Sequence, residues 1–232
     1  MDIKELNSLL GNIDIYLLDQ ILKGRFTKEM KILDAGCGEG RNCIFFLQKG
    51  YQIFGVDADP VAVQMAKIYA STINKKYDLH RFQRALVQDM PFHEAAFDAV
   101  ISSAVLHFAK NKEEFFKMLG EMLRVLKPGG YLFIRTCTDR DGILKNAPHL
   151  GGGVYLLPDD SERFVLTEQI EQEMVEQYGL QYLEHPKSVA VHGQRSMGVY
   201  IFFETRKLIN LQSIYHFSHN FGRKQANVNI SK

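Results

Sequence analysis

The feature that most constrains this chain is the alternation of short apolar runs with longer segments of helical period, from residue 31 to about residue 205. Short runs bounded by glycine, proline and acidic residues are typical of buried strands. Strands that alternate with helices build a mostly parallel sheet with helices on both faces. We therefore predict an α/β fold with a Rossmann-like, mostly parallel seven-stranded sheet whose last strand is antiparallel.

The runs also predict the bounds of the elements. Strands are expected at residues 31–35, 52–57, within 80–88, 97–105, 131–137, from 179 onward and at 197–205. Helices are expected at residues 41–49, 60–71, 112–126 and, after a Thr167 cap, 168–177. Parallel neighbours need a long crossover, and no clear helix separates the last two strands, so antiparallel pairing is predicted there.

Three segments stand outside this pattern. Residues 1–30 contain an amphipathic stretch at 3–22 and are interpreted as an amino-terminal helical cap on a domain of residues 31–206. Residues 207–232 end in RKQANVNISK and are typical of a frayed terminus. Residues 138–163 are rich in glycine and proline with little periodicity, so we expect an insert without regular structure that is either functional or disordered.

Composition limits the function classes. The chain has 232 residues and a formal net charge of +1, and its scattered lysine and arginine residues disfavour a nucleic-acid partner. Charged residues interrupt its apolar stretches, so we expect neither a membrane span nor secretion. Three cysteines without a CxxC pair fit a reducing compartment, and the predicted location is therefore the cytoplasm.

The strongest chemical signal is the segment LDAGCGEGRN at residues 33–42, between the first strand and the first helix. Its glycines at alternate positions let the backbone turn sharply and let a ligand lie against it. Open α/β sheets bind ligands beyond the carboxyl ends of their strands, where this segment lies. A dinucleotide fingerprint GxGxxG would need a third glycine at the position of Arg41, so the nicotinamide interpretation is weakened.

This segment, an acidic residue followed by GxGxG, resembles motif one of the class I S-adenosylmethionine-dependent methyltransferases. The resemblance continues in order through GVDAD, QDMPF, FDAVISSAVLHF and LRVLKPGGYLFI, and covers about residues 30–137. It implies S-adenosylmethionine as the cofactor. In this interpretation Asp34, Gly36, Cys37 and Gly38 hold the methionine part, which carries an ammonium and a sulfonium.

The later motifs imply contacts with the nucleoside. Asp57 and Ala58, where the second strand ends, would meet the ribose hydroxyls, whereas Asp59 is better explained as a helix cap before a proline. Asp89 would accept a hydrogen bond from the adenine amino group. The Met90 amide is a candidate donor to the adenine ring.

Other candidates keep two interpretations. Ser103 lies in the strand-end segment that passes under the sulfonium in this family, and Arg41 either holds a carboxylate or is merely solvated. His107 follows the fourth strand, where it is either a general base or a satisfied, partly buried histidine. His192 and Arg195 lie between the last two strands, in a region where tellurite-type relatives use histidine and arginine.

The expected reaction is in-line methyl transfer to a small-molecule acceptor. The segments GCGEGRN and GVDAD resemble the tellurite-resistance and thiopurine-type branch of the family. The alternatives are a methyltransferase that acts on RNA or protein, and a cofactor-binding protein without catalysis. No metal site is predicted, because His216 and His219 have no cysteine or acidic ligand nearby.

Overall fold

The computed structural model describes residues 2–140, 142–191 and 195–204, without the side chains of residues 143, 146, 195, 203 and 204. Its helices are α1 Ile3–Leu10, α2 Ile15–Leu22, α3 Ile44–Gln48, α4 Pro60–Ile73, α5 Lys112–Val125 and α6 Glu168–Tyr178. Its strands are β1 Lys31–Ala35, β2 Gln52–Asp57, β3 Phe82–Arg84, β4 Phe97–Ser103, β5 Leu126–Cys137, β6 His149–Gly151, β7 Val154–Leu156, β8 Glu162–Phe164, β9 Leu180–Tyr182, β10 Lys187–Val191 and β11 Arg195–Glu204.

The main sheet confirms the predicted fold class. Its strand order is β10-β11-β5-β4-β1-β2-β3, and the strands from β3 to β5 are parallel. The last strand, β11, runs antiparallel to β5, β9 and β10. The sheet has eight strands among the described residues instead of seven, because the segment predicted as one strand from residue 179 divides into β9 and β10. Strand order reverses between β1 and β4, and open α/β sheets bind ligands at the carboxyl ends of the strands at such a point.

Apolar side chains of the strands point alternately to the two faces of this sheet, and helices pack against both faces. Leu33 of β1 and Val100 of β4 share a core with Leu119 of α5 and other residues of α5 and α6. Ile32 and Ile101, on the other face, share a core with residues of α2, α3 and α4. The period of two along each strand therefore produces the predicted cover of helices on both faces.

The amino-terminal stretch is two helices where the sequence suggested a single amphipathic segment. Gly11, at φ +58°, ends α1, and the Asp14 carboxylate caps α2 by accepting the Tyr16 N–H at 3.0 Å. The helix predicted from Arg41 begins at Ile44, since residues 41–43 form turns. No helix in the described part of the chain is both long and apolar enough to cross a bilayer.

The insert at residues 138–163 differs most from its prediction. It was predicted to be structureless, yet its strands and Phe164 form a three-stranded antiparallel sheet, β6 to β8, here called the insert sheet. Gly151, Gly152 and Gly153 all have positive φ and make the tight turn between β6 and β7. Phe164 is fully buried and stacks on Phe115 of α5, with ring centroids 4.9 Å apart, which anchors the insert sheet to the main domain.

Candidate functional site

The glycine-rich segment forms a tight loop at the carboxyl end of β1. The Gly36 and Cys37 amides both donate to the Val56 carbonyl, at 2.8 and 2.9 Å. Gly36 has a φ of +83°, and a Cβ there would lie 2.5 Å from Cγ2 of Val105, so only glycine fits this approach. A Cβ on Gly38 would meet no heavy atom within 4 Å. The loop therefore faces open space at Gly38, where a ligand can lie against the backbone.

Asp57 lies against this loop. Its Oδ2 accepts the Gly38 N–H at 2.8 Å, and its Oδ1 accepts the Asp59 N–H at 2.9 Å. Asp59 caps α4 by accepting the Val61 N–H at 2.8 Å, which supports the distinction between the two acids. The carbonyl of Ala58, an exposed residue, accepts a hydrogen bond from Arg84 Nε at 3.3 Å. A carboxylate has about four lone-pair sites, so Asp57 keeps acceptor capacity for a pair of hydroxyls.

Asp34 is the most unusual group of the site. It is 1% exposed, its Oδ1 has no hydrogen-bond partner among the described residues, and its Oδ2 accepts only from Cys43 Sγ at 3.5 Å. Burial raises the pKa of this carboxyl group from 3.8 to about 7. Burial also raises the pKa of the Cys37 and Cys43 thiols, which stay neutral packing groups. A buried acceptor without a partner is costly unless a donor arrives, and an ammonium group is such a donor.

A second polar group, missed by the sequence analysis, links α2 to this edge of the sheet. Ser103 Oγ donates to Asp14 Oδ2 at 2.8 Å and accepts from Arg41 Nη2 at 3.2 Å. Arg135 Nη1 lies 3.4 Å from the same Asp14 oxygen, and the Asp14 amide donates to Asn42 Oδ1 at 3.0 Å. We call these five residues the Asp14 cluster. Arg41 thus has defined partners, and the one sequence signal for Asp14 was its position before an apolar helix.

The segment after β4 is bent sharply beside the loop. Ala104 has a φ of +64°, rare for a residue with a Cβ, and its amide donates to the Arg135 carbonyl at 2.7 Å. His107 follows in a short 3-10 turn, is 4% exposed and packs edge-on against Phe108 with ring centroids 4.6 Å apart. Its burial agrees with the structural interpretation of this histidine, and its catalytic role stays a prediction. His192 and the Arg195 side chain lie outside the described residues, as does residue 207 onward.

The loop after β3 carries the predicted adenine contacts, which stay predictions, and the structure gives the Met90 amide a partner within the protein. The Ala85 amide donates to the Asp57 carbonyl at 3.0 Å, which holds this loop beside the end of β2, and Asp89 is exposed on it. The Met90 amide, expected to donate to the adenine ring, donates instead to Glu121 Oε1 of α5 at 2.8 Å. Its side chain is buried in the core. The described residues contain no group of three or more histidine, cysteine or acidic side chains arranged to hold a metal ion.

Three features of the site match groups of the expected cofactor. Asp34 Oδ1, which has no partner in the described part of the chain, suits the ammonium group of S-adenosylmethionine. The open space at Gly38 leaves room for its methionine part, and Asp57 has acceptor capacity for its ribose hydroxyls. These three features lie along two successive strand ends, β1 and β2. The donors and acceptors present fit that group.

Comparisons with known proteins agree. Residues 33–134 match the family model of a methyltransferase domain. An uncharacterized methyltransferase of Synechocystis is 34% identical over 100 residues, covering 43% of this chain and 43% of that protein. A ubiquinone biosynthesis O-methyltransferase of Mesorhizobium japonicum is 28% identical over 130 residues, covering 52% of this chain and 49% of that protein. The chain spans about half or less of the length of these curated relatives.

A solved structure shares the fold. It is the 1,6-didemethyltoxoflavin-N1-methyltransferase of Burkholderia thailandensis with bound 1,6-didemethyltoxoflavin and S-adenosylhomocysteine. The TM-score is 0.59 at 19% identity, over 82% of this chain and 76% of that one. The ordered motifs, the sheet topology and the domain match agree: the chain shares its fold with a solved methyltransferase, and residues 33–134 are similar to a methyltransferase domain.

Proposed function

We propose that the chain is an S-adenosylmethionine-dependent methyltransferase that transfers a methyl group in line to a small-molecule acceptor. The observation that carries this proposal is the buried Asp34 Oδ1, which has no hydrogen-bond partner among the described residues and lies at the end of the strand that leads to the open loop position Gly38. A cationic ligand satisfies that oxygen, because a charge-assisted hydrogen bond offsets the cost of burying the carboxylate. We expect Asp34 to hold the ammonium, Asp57 the ribose hydroxyls and Asp89 the adenine amino group.

The residues of the chain act by positioning and by exclusion of water. When bound, the cofactor supplies a methyl group on a positively charged sulfur, and the thioether that leaves is neutral. The protein therefore has little proton chemistry to perform, and orientation in a dry site supplies most of the rate. The bent Ala104 segment and Ser103 position the reacting groups in this proposal. His107, His192 and Arg195 remain candidates for contact with the acceptor.

The acceptor class is inferred from what surrounds the strand ends. The Asp14 cluster covers the ends of β4 and β5 from one face, and the insert sheet covers the segment after β4 from the other. Arg163 of the insert sheet lies over the Phe108 ring, 4.8 Å from its centroid. This cover favours a small acceptor over a macromolecule. The ubiquinone and toxoflavin enzymes named above support the same class by similarity, and we further propose the tellurite-resistance and thiopurine-type branch.

Measuring cofactor binding tests whether the chain binds S-adenosylmethionine, which all of the candidate functions require. We expect calorimetry to show that Asp57→Ala weakens S-adenosylhomocysteine at least tenfold, because two ribose hydroxyls lose a charged acceptor. Asp59→Ala is the matched control: it removes the cap of α4 and should cost about 1 kcal/mol of folding stability while leaving affinity unchanged. Equal affinity of wild type and Asp57→Ala would refute the ribose assignment.

Turnover identifies the acceptor class. Methyl-labelled cofactor would be offered to thiols, halides, selenite, tellurite, phenols, amines and total RNA. Label in a small molecule supports the proposal. Label that enters only RNA would refute the small-molecule acceptor while leaving the methyltransferase itself intact.

A further inference from the structure

Helix α4 is apolar on its outer side as well as on its inner side. Its inner residues Val63, Ala66 and Ala70 are buried and share a core with residues of β1, β2 and β4. On the outer side, however, Val61 is 67% exposed and Ile68 is 45% exposed. A helix that packs one apolar face on a core normally carries polar and charged residues on the opposite face. The outer side of α4 therefore lacks the usual character of a solvated face.

The apolar residues of this outer side form a continuous row. Val61, Met65 and Ile68 are spaced by four and three positions, which places them on one side of the helix. The Tyr69 ring, which is also exposed, flanks this row. Lys67 is the one charged residue among the 14 residues of α4. We call Val61, Met65, Ile68 and Tyr69 the α4 stripe.

Positive charge is concentrated in the segment that contains the α4 stripe. After α4 the chain continues through residues 74–81 to β3, an edge strand of the main sheet, and Phe82 of β3 lies in the same core as the inner side of α4. Residues 60–84 contain five lysine and arginine residues and one acid, a formal charge of +4, whereas the whole chain carries +1. The rest of the chain is therefore at −3. The basic residues of the segment are Lys67, Lys75, Lys76, Arg81 and Arg84.

The acid of this segment is engaged locally. Asp78 accepts the His80 N–H through Oδ1 at 3.0 Å, and its Oδ2 lies 4.0 Å from Arg81 Nε. The Arg81 guanidinium also lies over the Phe54 ring, 4.9 Å from its centroid. Lys75 and Lys76, by contrast, are exposed to solvent. These two lysines are thus accessible to an anionic partner beside an exposed apolar row.

The combination of charge and aliphatic side chains distinguishes between partners. A two-fold contact between copies pairs one patch with the same patch, so it would bring two segments of charge +4 together, and like charges across an interface are costly. Single-stranded RNA is bound by stacking on aromatic or arginine planes, which Val61 and Ile68 do not offer. An anionic lipid surface suits both parts, because aliphatic side chains enter below the headgroups while lysine and arginine meet the headgroups.

We propose that the α4 stripe and the five basic residues named above dock the chain on the surface of an anionic lipid bilayer. Val61 and Ile68 enter the boundary between headgroups and acyl chains, and the amphipathic Tyr69 ring lies at headgroup level. Helix α4 lies along the bilayer surface and does not cross it. This docking goes beyond the proposed function and does not depend on it, since neither the cofactor nor the acceptor takes part.

Vesicle flotation of the full chain tests the proposal. We expect binding to phosphatidylcholine vesicles with about one third phosphatidylserine, and no binding to phosphatidylcholine alone or at high salt, because the attraction is electrostatic. Lys75→Gln combined with Lys76→Gln should weaken binding about twentyfold, since each lysine near the surface contributes about fivefold. The matched control is Lys110→Gln combined with Lys145→Gln, which removes two exposed lysines outside this segment and should bind like wild type.

A tryptophan reporter tests the apolar part of the contact. The chain has no tryptophan, so Ile68→Trp introduces a single one, whose emission should shift to the blue when anionic vesicles are added. Leu22→Trp, at a position that is 78% exposed on α2, is the matched control and should show no shift. Val61→Gln combined with Ile68→Gln should weaken vesicle binding about tenfold or more, because two aliphatic side chains no longer enter the bilayer.

Several results would overturn the proposal. Equal binding of the wild-type chain to neutral and anionic vesicles would do so, as would binding to neither, or an emission shift for Leu22→Trp without one for Ile68→Trp. A dimer in sedimentation equilibrium that Ile68→Gln abolishes would assign the stripe to a second copy instead. Binding of single-stranded RNA without binding of vesicles would assign the positive charge to nucleic acid. The wild-type vesicle comparison needs no variant, so poor folding of a variant would still leave a decisive result.

Discussion

The buried carboxyl group of Asp34 predicts a specific pH dependence of stability. Burial raises its pKa from 3.8 to about 7, so the folded chain holds this proton more tightly than the unfolded chain does. Below pH 3.8 the carboxyl group does not lower the free energy of unfolding, because it is protonated in both states. Between pH 3.8 and about 7 it lowers the free energy of unfolding increasingly as the pH rises. At about 1.4 kcal/mol per pH unit, the penalty reaches about 4 kcal/mol above pH 7.

Asp34→Asn removes the ionisable group and keeps its shape. We expect the variant to gain free energy of unfolding relative to wild type as the pH rises from about 4 to 7, and the gain to level off at higher pH. Urea unfolding followed by circular dichroism at several pH values between 5 and 8 measures this difference. A difference that stays constant over that range would refute the reasoning.

Asp98 provides a control of opposite sign. Partial burial acts to raise the pKa of its carboxyl group, but hydrogen bonds from Lys127 Nζ at 2.7 Å and the Lys31 amide at 2.9 Å hold the pKa below its ordinary value. Its contribution to stability is present at neutral pH and lost as the pH falls through the folded-state pKa. Asp98→Asn should therefore destabilise the chain at pH 7 and matter less in acid.

The same reasoning extends to binding. An ammonium beside Asp34 favours the ionised carboxylate, so S-adenosylhomocysteine binding near pH 6 should release up to one proton. Calorimetry in buffers of different ionisation enthalpy measures that release. The same titrations with Asp34→Asn measure the proton release that does not come from Asp34. If wild type and Asp34→Asn release the same number of protons, Asp34 does not meet the ammonium.

Two further predictions concern the loop and the Asp14 cluster. Gly36→Ala should cost about 2 kcal/mol of folding stability and weaken the binding of S-adenosylhomocysteine, because the new methyl group would lie 2.5 Å from Val105 and the φ of residue 36 is +83°. Adding Val105→Ala should recover part of the lost stability. Thermal melts that show no recovery would contradict this contact. Asp14→Ala should cost about 2–3 kcal/mol, because it removes the α2 cap and leaves Arg135 unpaired, whereas Asp14→Asn keeps the cap and should cost less; equal urea midpoints for the two variants would be the contrary result.

Local patterns in the sequence predicted most helices and strands of the main domain and the order of its motifs. Strand bounds such as 31–35 and 52–57 follow from local apolar runs, and the predicted helices 112–126 and 168–177 differ from α5 and α6 by one residue at one end. The choice between Asp57 and Asp59 was also local, because a proline after Asp59 predicts a helix cap. Such features depend on neighbours within a few positions along the chain, which a sequence displays directly.

Which polar atoms remain available to a ligand depends on contacts between distant parts of the chain. The Met90 amide was assigned to the cofactor because nothing nearby in sequence competes for it, yet its partner Glu121 is 31 positions away. The Asp14 carboxylate meets Ser103 across 89 positions. The order of the insert likewise depends on a contact between residues distant in sequence, the stacking of Phe164 on Phe115. A hydrogen bond or a buried ring depends on atoms meeting in space, and periodicity along the chain carries no record of that meeting.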